Sequence, residues 1–254
     1  MSNEVLVEVD AGVLIATINR PEAKNAANKA VAEQMAAAMD RLDEDPDIRV
    51  GIITGAGGTF CAGMDLKALM KGEWALVEGR GFCGVAERPP KKPLIAAVEG
   101  FALAGGCELV LACDLVIAAE DARFGLSEVK RGLVAGGGGL LRLPEQMPYR
   151  LAMELVFTGE PIDGLRAAEV GLINRAVAKG TALEEAVKLA RSIAKNAPLA
   201  LMASKRVMSE CGDWPLDERF RKQEAIIGPV FATEDAAEGA TAFAEKREPV
   251  WKCK

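Results

Sequence analysis

Between Leu94 and Ala119 the chain is small and apolar almost throughout, yet Glu99, Glu108 and Asp114 interrupt it. These acids leave the run well short of the roughly 18 uncharged residues that a membrane span requires, so it reads as the interior of a soluble fold. Glu108 stands in the middle of ALAGGCELVLAC, just behind two glycines. A buried carboxylate without a partner costs several kcal/mol. An acid placed there is therefore either paired or put to use.

The surrounding periodicity sets the fold class. EVLVEVDAGVLIATIN reads as a β-hairpin turning at Ala11-Gly12. Val31, Met35, Met39 and Leu42 then recur at helical spacing, with Asn28 placed to cap the start and Pro46 beyond the end. Arg49 to Gly55 is a buried strand followed by a glycine-rich loop, and Leu94 to Val98 is another. A glycine turn, a small-residue helix from about Gly105 and a strand at Leu115 to Ala119 complete the series. Strand, loop and helix recur, which argues for an α/β fold. From about Pro161 the pattern turns helical. Thr181 with Glu184 predicts a capping box ahead of Leu183, Val187, Ala190 and Ile193, and Pro198 ends or kinks that helix. We expect a core over residues 1–197 and a helical extension over 198–254, too small for its own core, that packs on the body or on another subunit.

Composition removes whole classes of chemistry. The chain has 254 residues, half of them hydrophobic, and a net charge of −6 with both signs interspersed, so no basic footprint for nucleic acid exists. There is no histidine. Ser-His-Asp and Cys-His nucleophile systems and imidazole bases are thereby excluded, and catalysis must rest on carboxylates, backbone dipoles, Lys, Tyr or a cofactor. The six cysteines form no CxxC pair, and we expect neither disulfides nor zinc. MSNEVLVEVD has no basic segment leading an apolar one, which suggests a cytoplasmic protein.

Two glycine-rich stretches invite a nucleotide reading that fails. GAGGTF follows a strand but has Phe60 where a dinucleotide fingerprint has its third glycine, and AGGGGLLRLP lacks the Lys-Ser/Thr of a phosphate loop. In TFCAGMDL and ALAGGCEL glycine instead leads into a helix start, where backbone N–H groups lack intrahelical partners. Two such loops facing each other make an oxyanion hole, each donor typically worth about 10²–10³ in rate.

NRPEAKNAAN, TFCAGMDLK, AAVEGFALAGGCELVLACDLVIA, ARFGLSEVKRGL and AFAEKREPVW, in this order and spanning nearly the whole chain, resemble the enoyl-CoA hydratase/isomerase, or crotonase, superfamily. The resemblance implies a crotonase-like spiral of ββα units with a C-terminal helical extension, assembled as a homotrimer or homohexamer. It implies an acyl-CoA thioester substrate whose carbonyl is held by the amides of Met64 and Gly105, with no separate cofactor and no metal. Glu108 and Glu128 match the two glutamates that flank the water and the double bond in hydratases of the family. Lys24, Ala62, Asp65 and Lys67 match positions near the CoA moiety, and Lys246 and Arg247 could reach a CoA phosphate of a neighbouring subunit.

Gly136 stands where some isomerase, dehalogenase and carnitinyl-CoA relatives place a further acid, which favours water addition to a trans-2-enoyl-CoA. LLRLP, TGEPI and EKREPVWK nevertheless resemble the carnitinyl-CoA dehydratase branch, so dehydration or isomerisation of a specialised acyl-CoA stays open. A non-catalytic acyl-CoA-binding protein of the same fold is the remaining alternative. Taken alone, SEVKR around Glu128 looks like an ordinary solvated helix face. The segment Ala68 to Pro90, poorest in motifs, is expected to shape the acyl pocket.

Overall fold

The hairpin forms where the alternation places it. Strands β1 (Val5–Asp10) and β2 (Val13–Ile18) pair antiparallel across a two-residue turn in which Ala11 and Gly12 both have positive φ, the handedness that matches strand twist. In the computed structural model, which describes residues 3–254, helix α1 (Lys29–Glu44) follows. The Asn28 side chain accepts from the Val31 amide at 2.9 Å, and Val31, Met35, Met39 and Leu42 are buried on one face. Helix α1 returns the chain to β3 (Val50–Gly55), parallel to β2.

The chain then runs through the short helix α2 (Leu66–Leu69) and a minimal hairpin, β4 (Leu76–Val77) and β5 (Gly81–Phe82), before β6 (Leu94–Val98) joins the sheet. Beyond it come β7 (Phe101–Leu103), helix α3 (Gly105–Leu111), β8 (Leu115–Ala119) and β9 (Arg123–Gly125). Helices α4 (Gly139–Gln146) and α5 (Tyr149–Thr158), β10 (Ile162–Asp163), α6 (Gly164–Glu169) and β11 (Arg175–Val177) lead to α7 (Ala182–Ala194). Three further helices end the fold: α8 (Pro198–Glu210), α9 (Arg219–Phe231) and α10 (Glu234–Glu245).

The main sheet has the order β1-β2-β3-β6-β8-β11, parallel except for the β1-β2 pair. Its inner strands β3, β6 and β8 are buried on both faces, and their alternate residues serve different layers. Leu94, Ala96 and Val98 join the large core with α1 and α3, whereas Ile95 and Ala97 join Val13, Val50, Ile52 and Ile117 beneath Ala186 and Ala190 of α7. Near-continuous apolar strands are the mark of a parallel sheet covered on two sides. No helix among the described residues is long and apolar enough to cross a membrane.

Four short strands escape the periodicity. β7, β9, β10 and β11 are two or three residues long, and the first three form a second small sheet, with β9 central. The expected capping box at Thr181 is also corrected. The Thr181 hydroxyl donates back to the Ala178 carbonyl at 2.6 Å, Glu184 pairs with Lys188, and Leu183 stays largely exposed. The cap comes instead from Glu99, whose carboxylate accepts from the Gly180 and Ala182 amides at 3.0 Å each. A cap 83 residues away in sequence cannot be read from local spacing.

The end of the chain folds back on α10. Buried Asp235 accepts from the Lys252 and Cys253 amides at 2.7 and 3.1 Å, while the Trp251 indole donates to the Lys195 carbonyl at 2.7 Å. Replacing Asp235 with Ala leaves two amides without their acceptor. It should lower stability by about 1–3 kcal/mol in urea unfolding at fixed protein concentration, and should speed proteolytic removal of the tail.

Candidate active site

The candidate residues lie on the loop after β3, at the start of α3 and on the turn after β9. The loop after β3 is stitched on both sides. The Cys61 amide donates to Phe101 O at 2.8 Å and Cys61 O accepts from Leu103, while Ala27 accepts from Asp65 and donates to Gly63, both at 2.8 Å. Bonding to Ala27 through Gly63 O and Asp65 N leaves the intervening Met64 amide out of the bridge, and it meets no acceptor among the described residues. The sequence expectation that Met64 stands at a helix start is therefore refined. Helix α2 begins two residues later, capped by Asp65, and alternation along a bridged strand exposes the Met64 N–H.

Gly105 opens α3, so its amide lacks an intrahelical acceptor by geometry. The preceding Ala104 holds φ 51° and ψ −126°, a conformation costing roughly 1–3 kcal/mol in a non-glycine residue. It is kept by its own amide bond to Gly125 O and by its carbonyl accepting from Cys107 and Glu108. The two loops touch at Gly63, which has φ 101°. A Cβ there would lie 3.2 Å from the Gly105 nitrogen and 3.0 Å from Ala104 Cβ.

One turn into α3, Glu108 is 4% exposed. Its Oε1 accepts from the Gly137 amide at 2.7 Å and the Gly139 amide at 2.9 Å, the latter opening α4. Burial pushes its proton affinity above the ordinary carboxylate range, opposed by the Gly139 and Gly137 amides and by the charge of Arg142. Glu128 begins a single 3₁₀ turn, Glu128–Arg131, and is half-buried, so the solvated-face reading of SEVKR does not hold. Its Oε2 is buried and meets no hydrogen-bond partner among the described residues. Burial raises its proton affinity, and the charge of Glu108 raises it further, against the opposing Glu128 amide and Arg131. Both acids reach Cys107, whose thiol is pushed up to about 12 by burial first and then by the two carboxylates. That thiol stays protonated.

The remaining expected positions divide. Lys24 and Ala62 are joined, the Ala62 amide donating to Lys24 O at 3.1 Å, and the exposed Lys24 ammonium sits 5.2 Å from the centre of the Phe101 ring. The Asp65 carboxylate is committed to structure, because Oδ1 accepts from Lys67 and Ala68 while Oδ2 meets Arg20 at 3.0 Å. Burial alone would raise its proton affinity, but Arg20 and the two amides together hold it below the usual range. Lys67 lies exposed in the first turn of α2. Lys246 ends α10, and no hydrogen bond or ion pair joins it to these loops among the described residues. The Arg247 guanidinium is bidentate to Glu238 at 2.6 and 2.9 Å and also bonds Glu245.

Sequence reasoning passed over Gly137 and Gly139, because AGGGGLLRLP was tested only as a phosphate loop. The usable signal was a glycine run opening a helix, where bare amides can grip any anion, a side-chain carboxylate included. Arg20 was also missed. It meets Glu4, Asp65 and Ala26 O together and thereby fixes the loop that carries Met64.

Comparison with known proteins gives the family. The family model for enoyl-CoA hydratase/isomerase matches residues 8–254. The chain is 44% identical over 261 residues to enoyl-CoA hydratase EchA19 of Mycobacterium tuberculosis, covering 97% of this chain and 95% of that protein. It is 39% identical over 260 residues to carnitinyl-CoA dehydratase of Salmonella typhimurium, covering 99% of each. Among solved structures, enoyl-CoA hydratase EchA1 of Mycobacterium marinum superposes with a TM-score of 0.98 at 58% identity over 100% of both chains. Carnitinyl-CoA hydratase of Mycobacterium avium superposes with a TM-score of 0.80 at 46% identity, again over 100% of both.

The glycines around Glu108 give a graded test. A Cβ at Gly139 would lie 2.9 Å from Glu108 Cγ and 3.0 Å from Leu126, whereas one at Gly136 would have nothing within 4 Å. Gly139→Ala should cost about 1–3 kcal/mol in chemical denaturation, and Gly136→Ala should stay within about 0.5 kcal/mol of the parent.

Proposed function

The chain belongs to the enoyl-CoA hydratase/isomerase family, and we propose that within it the protein is an enoyl-CoA hydratase, adding water across the 2,3 double bond of a trans-2-enoyl-CoA. The observation that carries this reading is the pairing of a carboxylate gripped by two amides with a second, half-buried acid whose inner oxygen is unpartnered, beside two free main-chain donors.

The two acids divide the proton work. Amide bonds to Glu108 Oε1 favour its ionised form, while the charge of Glu108 favours protonated Glu128. Glu108 takes a proton from water as the water oxygen bonds C3. The π pair moves toward the thioester, and negative charge grows on its oxygen between the Met64 and Gly105 amides. Glu128 then delivers its proton to C2 on the same face as the new hydroxyl, and solvent exchange returns a proton from Glu108 to Glu128. Backbone dipoles already oriented in the free protein need no reorganisation as this charge develops.

Specialised substrates keep the same chemistry. Identity of 39% to a carnitinyl-CoA dehydratase supports a second reading in which the acyl group is cationic and water is removed, and turnover of carnitinyl-CoA against crotonyl-CoA separates the two. We also read the protein as a homotrimer or homohexamer. Phe220, Phe231 and Phe243 on α9 and α10 are 85%, 76% and 87% exposed, an apolar load that a lone chain leaves in water.

Loss of enoyl absorbance with crotonyl-CoA tests the assignment. Glu108→Gln and Glu128→Gln should each lower kcat by about 10²–10⁴, with CoA-ester binding retained. Tight binding without turnover in the parent would instead mark a non-catalytic acyl-CoA carrier. The reaction needs Glu108 ionised and Glu128 protonated, so kcat/KM should fall on the acid side as Glu108 gains a proton and on the alkaline side as Glu128 loses one. Both midpoints should stand above the ordinary glutamate range.

A further inference from the structure

Helix α4 grips α3 at both ends. Its first amide holds Glu108, and near its last turn the Gln146 amide nitrogen donates to Leu111 O at 3.0 Å. A further tie, from α4 to another segment beside the site, is made by Arg142. This half-buried side chain is in no ion pair among the described residues. Its Nη2 instead donates to Ala86 O at 2.6 Å, and its Nη1 folds back over the helix start, where a Cβ on Gly138 would lie 2.4 Å away.

Ala86 belongs to the turn after β5, and that turn reaches both halves of the site. The Phe82 ring lies against Gly105, so that a Cβ there would come within 2.6 Å of the ring, and Phe82 Cβ would lie 3.2 Å from a Cβ on Gly137. Phe82 and Ala86 are tied to each other by the Ala86 amide donating to Phe82 O at 3.1 Å. One short turn thus abuts the Gly105 donor, the Gly137 donor and the guanidinium.

We propose that Arg142 is a positioning residue for the hydration reaction: it clamps the start of α4 to the Phe82–Ala86 turn, keeping the Gly137 and Gly139 amides that grip Glu108 in fixed relation to the Gly105 amide. The proposal rests on the hydratase reading above. Its guanidinium has a second effect through space. The charged or titratable groups that act on Glu108 or feel its charge are Arg142 from α4, Glu128 from the 3₁₀ turn and Cys107 from α3 itself, and of these only Arg142 is positive. Removing it should make Glu108 harder to ionise.

Two variants, R142Q and R142K, test this in the full chain. With crotonyl-CoA, R142Q should lose about tenfold or more in kcat with KM within about twofold, and the acidic limb of its kcat profile should move to higher pH. R142K keeps the charge but not the forked donor, so its acidic limb should stay in place while kcat still falls several-fold. A carbon-13 NMR titration of the Glu108 carboxyl, assigned by its loss in E108Q, reads the same shift without turnover and should move up in R142Q alone. An acidic limb and a Glu108 midpoint unmoved in R142Q, or wild-type kcat in R142K, would overturn the proposal. Should R142Q fail to fold, R142K decides by its kcat. A parent enzyme inactive on every enoyl-CoA defeats the hydratase reading instead, and the titration still reports whether Arg142 acts on Glu108.

Discussion

The bonds from the Gly137 and Gly139 amides to Glu108 are the constraint on which the rest of the site depends. They join α3 to α4, satisfy an acid that burial would otherwise neutralise, and hold one of its oxygens so that the other is available for chemistry. Remove them and the carboxyl group would take up a proton and lose its orientation together. Packing repeats the constraint, since neither glycine has room for a side chain beside the carboxyl group it holds.

The donor pair is built by a different economy of parts. Met64 and Gly105 belong to loops 41 residues apart, and neither amide is freed by a special side chain. One is freed by the alternation of a bridged strand and the other by the opening of a helix. The strained Ala104 is the hinge between a strand that runs into the second sheet and a helix that must begin at once. Strain of this kind persists where neighbouring bonds over-determine the backbone, and here three of them do. On the hydratase reading proposed above, a histidine-free chain would stabilise an enolate by meeting its charge with main-chain dipoles and carrying protons on acids whose surroundings differ.

Much of this was legible beforehand. The hairpin, α1 with its Asn28 cap and the strands at Leu94 and Leu115 follow from period and capping chemistry, and Glu108 stood out because an acid behind two glycines in an apolar run needs a reason. What could not be read came from pairing over distance. β9 has three residues and becomes a strand only because β7 and β10 flank it, and α7 takes its cap from Glu99 rather than from Thr181. Glu128 looked solvated because SEVKR reads as an ordinary charged helix face, and only the packing of a 3₁₀ turn buries its inner oxygen. Arg142 carries no local mark at all, since its partner is a main-chain carbonyl in a turn with no motif.

The second face of the main sheet is covered by α7 through Ala186 and Ala190 with Val187, Leu189 and Ile193 beside them, and that helix follows every strand of the sheet in the chain. A nascent polypeptide that has already paired β2, β3, β6 and β8 therefore carries a bare row of Ile52, Ile95 and Ile117 until the ribosome has released residues 182–194. In that interval the half-made protein presents an apolar plane to its surroundings, a surface prone to aggregation until the helix arrives to cover it.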